Sequence, residues 1–116
     1  MQEMTLREIC NIVGVSRRAV QGYEESGLVI SSGKNKYGYL LYDEAAVEKI
    51  RCIKQYQDFG FTVKEIKVLM TAADEVYVEM MANRVELMNV QLNNLVANIG
   101  KAERMIAEKS QYKENC

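Results

Sequence analysis

The chain has no histidine and no proline, and only three cysteines. Without histidine, a Cys/His zinc site has almost no material, and a thiol or hydroxyl nucleophile has no evident base. Cys10, Cys52 and Cys116 are odd in number, far apart and without a CxxC pair. Cys10 and Cys52 fall inside apolar helical patterns and read as free buried thiols of a reducing cytosol. No apolar run approaches the roughly 18 residues of a membrane span. The opening "MQEMTLREIC" carries acid where a signal peptide needs basic residues and then an apolar stretch. These features point to a cytoplasmic protein with no membrane association, no metal site, no cofactor and no catalytic residues. The acidic pairs Glu24/Glu25 and Asp43/Glu44 read as helix-end residues on solvated faces.

Charge is balanced as well. The formal net charge of the 116 residues is −1. Residues 1–72 carry ten Lys/Arg against nine Asp/Glu, and residues 73–116 carry five against seven. Any polyanion partner must therefore be recognised by local patches, not by the overall sum.

With no proline to punctuate the chain, breaks rest on glycine and on capping residues. Thr5-Leu6-Arg7-Glu8 has the capping-box pattern, and Leu6, Ile9, Cys10 and Val13 follow at helical spacing up to Gly14. Ser16 then caps a second helix with Ala19, Val20 and Tyr23 inward and Gly27 as its stop. Two short helices across a tight Gly-containing turn match the helix-turn-helix pattern. Gly22 lies inside the second helix, where it costs about 1 kcal/mol relative to alanine. "LVI", then "SSGKNKYG", then "YLLY" predicts a hairpin whose loop carries Lys34 and Lys36. Asp43 caps a third helix through Val47, Ile50, Ile53 and Tyr56 to Gly60. Thr62-Val63-Lys64-Glu65 is a second capping box, opening a helix with Ile66, Leu69 and Met70 inward.

The remainder carries the strongest periodicity. Val78, Met81, Val85, Met88, Leu92, Leu95, Ile99, Ala102 and Ile106 are spaced alternately three and four apart. That is a heptad seam, whose 3.5-residue period suits a helix lying against a partner helix. A helix folded back on its own domain is the alternative, but the preceding domain is too short to cover so long a stripe. The predicted organisation is a domain over 1–73, a dimerisation helix over 74–109 and a short tail over 110–116.

The second helix offers Ser16, Arg17, Arg18 and Gln21 near its start. Arginine can fork to a guanine edge or to phosphate, and glutamine can read adenine. Cations at a helix start oppose its dipole, a misfit that a bound phosphate relieves. Lys34 and Lys36 would add phosphate contacts from the hairpin tip.

The order of features closely resembles the MerR family of bacterial transcription regulators, from about Met4 to Met70. The resemblance rests on the Gly-Val-Ser turn, a helix ending "YEESGL", a hairpin ending "GYLLYDE" and a helix running to "GFTVKEI". It implies a mainly α fold, with a winged helix-turn-helix domain followed by a long dimerisation helix in an antiparallel coiled coil. It also implies a homodimer acting on double-stranded DNA at a pseudo-palindromic promoter site. The family's way of acting is to distort the promoter spacer, with RNA polymerase as a further partner at the promoter. Carried over by position, Ser16, Arg17 and Arg18 lie on the recognition helix and Tyr23 near the DNA backbone. Lys34 and Lys36 fall in the wing, Tyr39 matches the tyrosine of the family's Gly-Tyr-Arg, and Tyr42 packs inside. The chain departs from the family at Gln21-Gly22-Tyr23, where Arg-Tyr-Tyr is common, and at Leu40, where arginine is common. Each lost arginine removes a phosphate contact, which leaves open a coiled-coil interaction module whose winged domain binds a protein partner instead. Metal-sensing relatives use cysteines beyond or at the start of the dimerisation helix, and at its start this chain has "MTAADEVYVEMM". Cys116 alone is a poor site.

Overall fold

The computed structural model describes residues 3–114, with side-chain surroundings through 111. The chain divides into two units, and the division falls between Ala73 and Asp74.

The first unit begins with strand β1 (Met4–Thr5) and helix α1 (Leu6–Ile9), which runs into a π-helical turn at Cys10–Gly14. The capping box forms as the sequence predicts. The Glu8 N–H donates to Thr5 Oγ1 at 3.3 Å, and Glu8 Oε1 accepts from the Thr5 N–H at 3.1 Å. Gly14 takes φ 77°, a left-handed conformation that glycine adopts without steric cost and that turns the chain into the next helix. Helix α2 (Arg17–Glu25) is capped by Ser16, whose hydroxyl accepts from the Ala19 N–H at 3.0 Å.

The hairpin is tighter than predicted. Its strands are β2 (Gly33–Lys34) and β3 (Leu40–Tyr42), paired antiparallel with Gly33 opposite Leu41 and Lys34 opposite Leu40. "LVI" is not its first strand. The stop of α2 consumes the Leu28 N–H, which donates to the Tyr23 carbonyl at 3.0 Å, and Val29 is buried as a core residue. Pairing resumes only at Ser32, whose N–H donates to the Leu41 carbonyl at 2.8 Å. Lys34 therefore lies on a strand, and Lys36 sits in the turn. Asn35 builds that turn, its Oδ1 accepting from the N–H groups of Tyr37 at 2.9 Å and Tyr39 at 3.0 Å. Gly38 follows at φ 84°. The sheet has a third member that the sequence does not announce. β1 pairs with the other edge of β3, Met4 opposite Tyr42 and Thr5 opposite Leu41, giving the order β1-β3-β2.

Helix α3 (Glu44–Asp58) starts at Asp43, whose carboxylate accepts from the Ala46 N–H at 2.9 Å. Helix α4 (Val63–Thr71) starts at the second capping box, with Glu65 Oε1 accepting from the Thr62 N–H at 3.0 Å. Ile50, Ile53 and Ile66 are fully buried with Ile9 and Val20, so α1 to α4 share one core. Tyr42 is buried as predicted. Met70 is only half-buried. Tyr56 and Phe61 meet edge to face, with ring centroids 6.3 Å apart. The two described cysteines differ from their predicted burial: Cys10 is half-buried and Cys52 exposed. Both patterns are helical, but position 52 falls between the inward-facing Ile50 and Ile53. Cys116 lies outside the described residues.

The second unit is one uninterrupted helix, α5 (Asp74–Glu114). It continues past residue 109, so the predicted separate tail is helical as far as it is described. Most members of the seam stand open, Leu92 at 56% exposure and Ile106 at 66%, while Met81 and Met88 are half-buried. No helix among the described residues is long and apolar enough to cross a membrane.

Candidate nucleic-acid interface

Helix α2 is fixed from within. Val20 and Tyr23, three residues apart, enter the core at 0% and 1% exposure. The Tyr23 hydroxyl donates to Gln57 Oε1 at 2.5 Å, tying α2 to α3. The Tyr42 hydroxyl donates to the Glu24 carboxylate, tying α2 to β3. Burial pushes both phenols above the ordinary tyrosine range, aided at Tyr23 by the Asp58 charge. At Tyr42 the hydrogen bond to Glu24 and the charge of that carboxylate add to the burial.

These inward anchors determine what α2 presents outward. Ser16, Arg17, Arg18 and Gln21 are all exposed. Arg18, Gln21, Gly22 and Glu25 form the side opposite Val20 and Tyr23. Arg17 and Arg18 make no ion pair among the described residues, unlike Arg51, 3.6 Å from Glu48, and Lys54, 2.9 Å from Asp58, both on α3. Glu25 closes the cationic surface at the C-terminal end of α2. The exposed cations are thus gathered on the N-terminal half, where the helix dipole also favours negative charge.

The wing adds exposed Lys34, Lys36, Tyr37 and Tyr39. Lys36 Nζ lies 5.1 Å from the centroid of the Tyr37 ring, so this cation is held over an aromatic face. Seven of the eight residues that the sequence nominates for DNA are thus exposed, on two elements of one unit. Tyr23 is the exception and needs correction. Its ring is enclosed and its hydroxyl is committed to Gln57, so it positions the helix and leaves no face for a phosphate.

Arg7 and Tyr37 are exposed beside these residues but are not among the sequence nominees. Arg7 is hidden in the sequence inside the Thr5–Glu8 capping box, and only the β1–β3 pairing brings it to the wing. No group of three or more His, Cys, Asp or Glu among the described residues is gathered to hold a metal ion.

A helix-turn-helix with a three-stranded wing, followed by one long helix, defines the class of protein. The sequence profile of the MerR HTH family regulatory proteins matches residues 4–73, more than half of the chain, and the chain belongs to that family. The mercuric resistance operon regulatory protein of Bacillus cereus is 27% identical over 111 residues, covering 94% of this chain and 82% of that protein. A probable heavy metal-dependent transcriptional regulator of Haemophilus influenzae is 23% identical, covering 97% and 88%. Among solved structures, a MerR family regulator from Bacillus cereus superposes with a TM-score of 0.76 at 20% identity, covering 90% of this chain and 80% of that one. A MerR family regulator lacking the sensor domain, bound to promoter DNA, superposes with a TM-score of 0.72 at 17% identity, covering 97% and 94%. At those identities the structural likeness concerns the fold.

Proposed function

We propose that the chain is a homodimeric, sequence-specific DNA-binding transcription regulator that acts on a pseudo-palindromic promoter site by distorting its spacer. The observation that carries this reading is the outward surface of α2, where Arg17, Arg18 and Gln21 stand exposed without an acidic partner on a helix clamped from behind. Helix-turn-helix proteins place the start of such a helix in the major groove. Arg18 and Gln21 lie one turn apart on the side that would meet base edges, and Ser16, Arg17, Lys34, Lys36 and Tyr39 surround them as backbone contacts. Fold likeness to a relative bound to promoter DNA supports the same docking.

The dimer rests on α5. Of nine apolar residues from Val78 to Ile106, seven are exposed and Met81 and Met88 half-buried, a stripe that a second helix would cover. Charge supports antiparallel pairing. Residues 74–94 carry four acids against the single cation Arg84, whereas residues 95–114 carry four cations against three acids. Antiparallel helices set the acidic half of each against the basic half of the other.

Selection from random duplex, followed by a salt titration, tests the reading. The expected result is enrichment of an inverted repeat with an affinity that falls steeply with salt. Failure to enrich any repeat, or an affinity indifferent to salt, would overturn it in favour of a protein-binding module. Arg18→Ala is expected to weaken the selected site at least tenfold and leave the dimer intact.

A further inference from the structure

We infer that Arg7 and Arg17 form a phosphate seat for the DNA backbone in the groove between α1, the start of α2 and the wing. The inference rests on the DNA-binding reading above and assigns a contact to α1 that the reading does not contain. An open groove of about 520 Å³ is lined by Thr5, Arg7, Arg17, Gly38, Tyr39 and Leu40, among others. It exists because β1 pairs with β3, which lays the start of α1 beside the wing turn. No carboxylate of the described residues lines it.

The acid next in sequence to Arg7 is held elsewhere. Glu8 Oε1 accepts from both the N–H and the hydroxyl of Thr5, at 3.1 and 3.0 Å. Arg7 and Arg17 are exposed and make no ion pair with any described residue. Tyr39 is 64% exposed, and its hydroxyl has no hydrogen-bond partner among the described residues. Two guanidiniums and a phenol thus face one groove with no internal counter-charge. Arg17, at the first position of α2, also stands against the helix dipole, and an anion between the two arginines relieves both mismatches.

A phosphodiester of duplex DNA is the occupant these observations select. The groove is continuous through Arg17 with the outward surface of α2, and in helix-turn-helix docking the first helix crosses the backbone while the second enters the groove. Leu40 lines this same groove. The cation missing from the strand at that position is therefore supplied from the neighbouring helix by Arg7.

The experiment is fluorescence anisotropy on the full-length chain with two duplexes, the selected site and an unrelated sequence, across a potassium chloride titration. Arg7→Gln should lower the salt slope by about 1 per bound chain and weaken both duplexes by the same factor. Arg7→Lys should keep the wild-type slope, as should Lys67→Gln, which removes an exposed cation from α4. A wild-type slope in Arg7→Gln would overturn the phosphate seat while leaving the DNA-binding reading intact. A loss confined to the selected duplex would also overturn it, because that pattern belongs to base reading. A wild-type chain that binds neither duplex with salt dependence would overturn both. Arg17→Gln provides a second reading of the seat, with the same slope change expected.

Discussion

Replacing Gly22 by alanine isolates a single physical term. Gly22 lies inside α2, three residues before its last residue, and is absent from the positive-φ glycines. A Cβ added there meets no atom within 4 Å. Alanine thus enters with neither strain nor a clash, and the change should return the propensity difference of about 0.8–1.0 kcal/mol, reduced to about 0.5–1 near the helix end. For a unit of this size that corresponds to roughly 2–8 °C in Tm. Because α5 contributes heavily to the far-ultraviolet signal, melting is best followed by the near-ultraviolet dichroism of the buried tyrosines, at matched protein concentration. A Tm that does not rise would refute the propensity reasoning. The same variant tests the space above Gly22, which adjoins Gln21 and lies one turn from Arg18. Affinity for the selected duplex should stay within about threefold, since one methyl group fits open space. A loss of tenfold or more with a raised Tm would show that the duplex backbone approaches the helix at Gly22.

Tyr23→Phe should cost about 0.5–1 kcal/mol, because the exposed Gln57 recovers a water partner, and should leave DNA affinity unchanged. Weaker DNA binding at unchanged stability, read by anisotropy and urea melts, would restore the phosphate role. Because the folded-state pKa values of Tyr23 and Tyr42 are raised above 10.0, their stability contribution is fully present below about pH 10 and lost as pH rises further. Each should steepen the decline by up to about 1.4 kcal/mol per pH unit, and parallel alkaline unfolding curves for the wild type and the Tyr23→Phe/Tyr42→Phe variant would refute this. Leu92 sits midway between Val78 and Ile106 on the seam, so an antiparallel pair brings its two copies together. Leu92→Asp should yield monomers by sedimentation at micromolar concentration, and a surviving dimer would move the interface off this stripe.

What was legible in the sequence was what local chemistry determines. The caps at Thr5, Ser16, Asp43 and Thr62 all form, and the 3.5-residue period predicts the continuous helix α5. What escaped depends on distant partners. β1 is two residues long, too short for any alternation, and is defined only by its ladder to β3. "LVI" has strand composition, yet the stop of α2 takes its first N–H. Tyr23 carries two signals, an inward helical position and a family correspondence to the DNA backbone, and packing favours the first. The candidate interface was half visible for the same reason. Cations on α2 and the hairpin declare themselves by local position, whereas Arg7 reaches them only through the sheet.

The pairing state of each cation, more than the net charge of −1, bears on how this chain could hold a polyanion. Arg51 and Lys54 on α3 are matched by Glu48 and Asp58, while Arg7, Arg17, Arg18, Lys34, Lys36, Lys49, Lys64 and Lys67 of the same unit make no ion pair among the described residues. If each of the eight met one phosphate, a single winged unit could release about 7 counterions, at about 0.9 per contact on duplex DNA. A measured salt slope well beyond about 7 therefore requires a second chain on the same duplex. The titration that tests DNA binding thus also reports stoichiometry, independently of sedimentation. A dimer in free solution that binds the inverted repeat and an isolated half-site with the same slope would engage with only one winged unit. In that case α5 would pair the chains without placing both recognition helices on DNA, and the pseudo-palindrome would lose its physical basis.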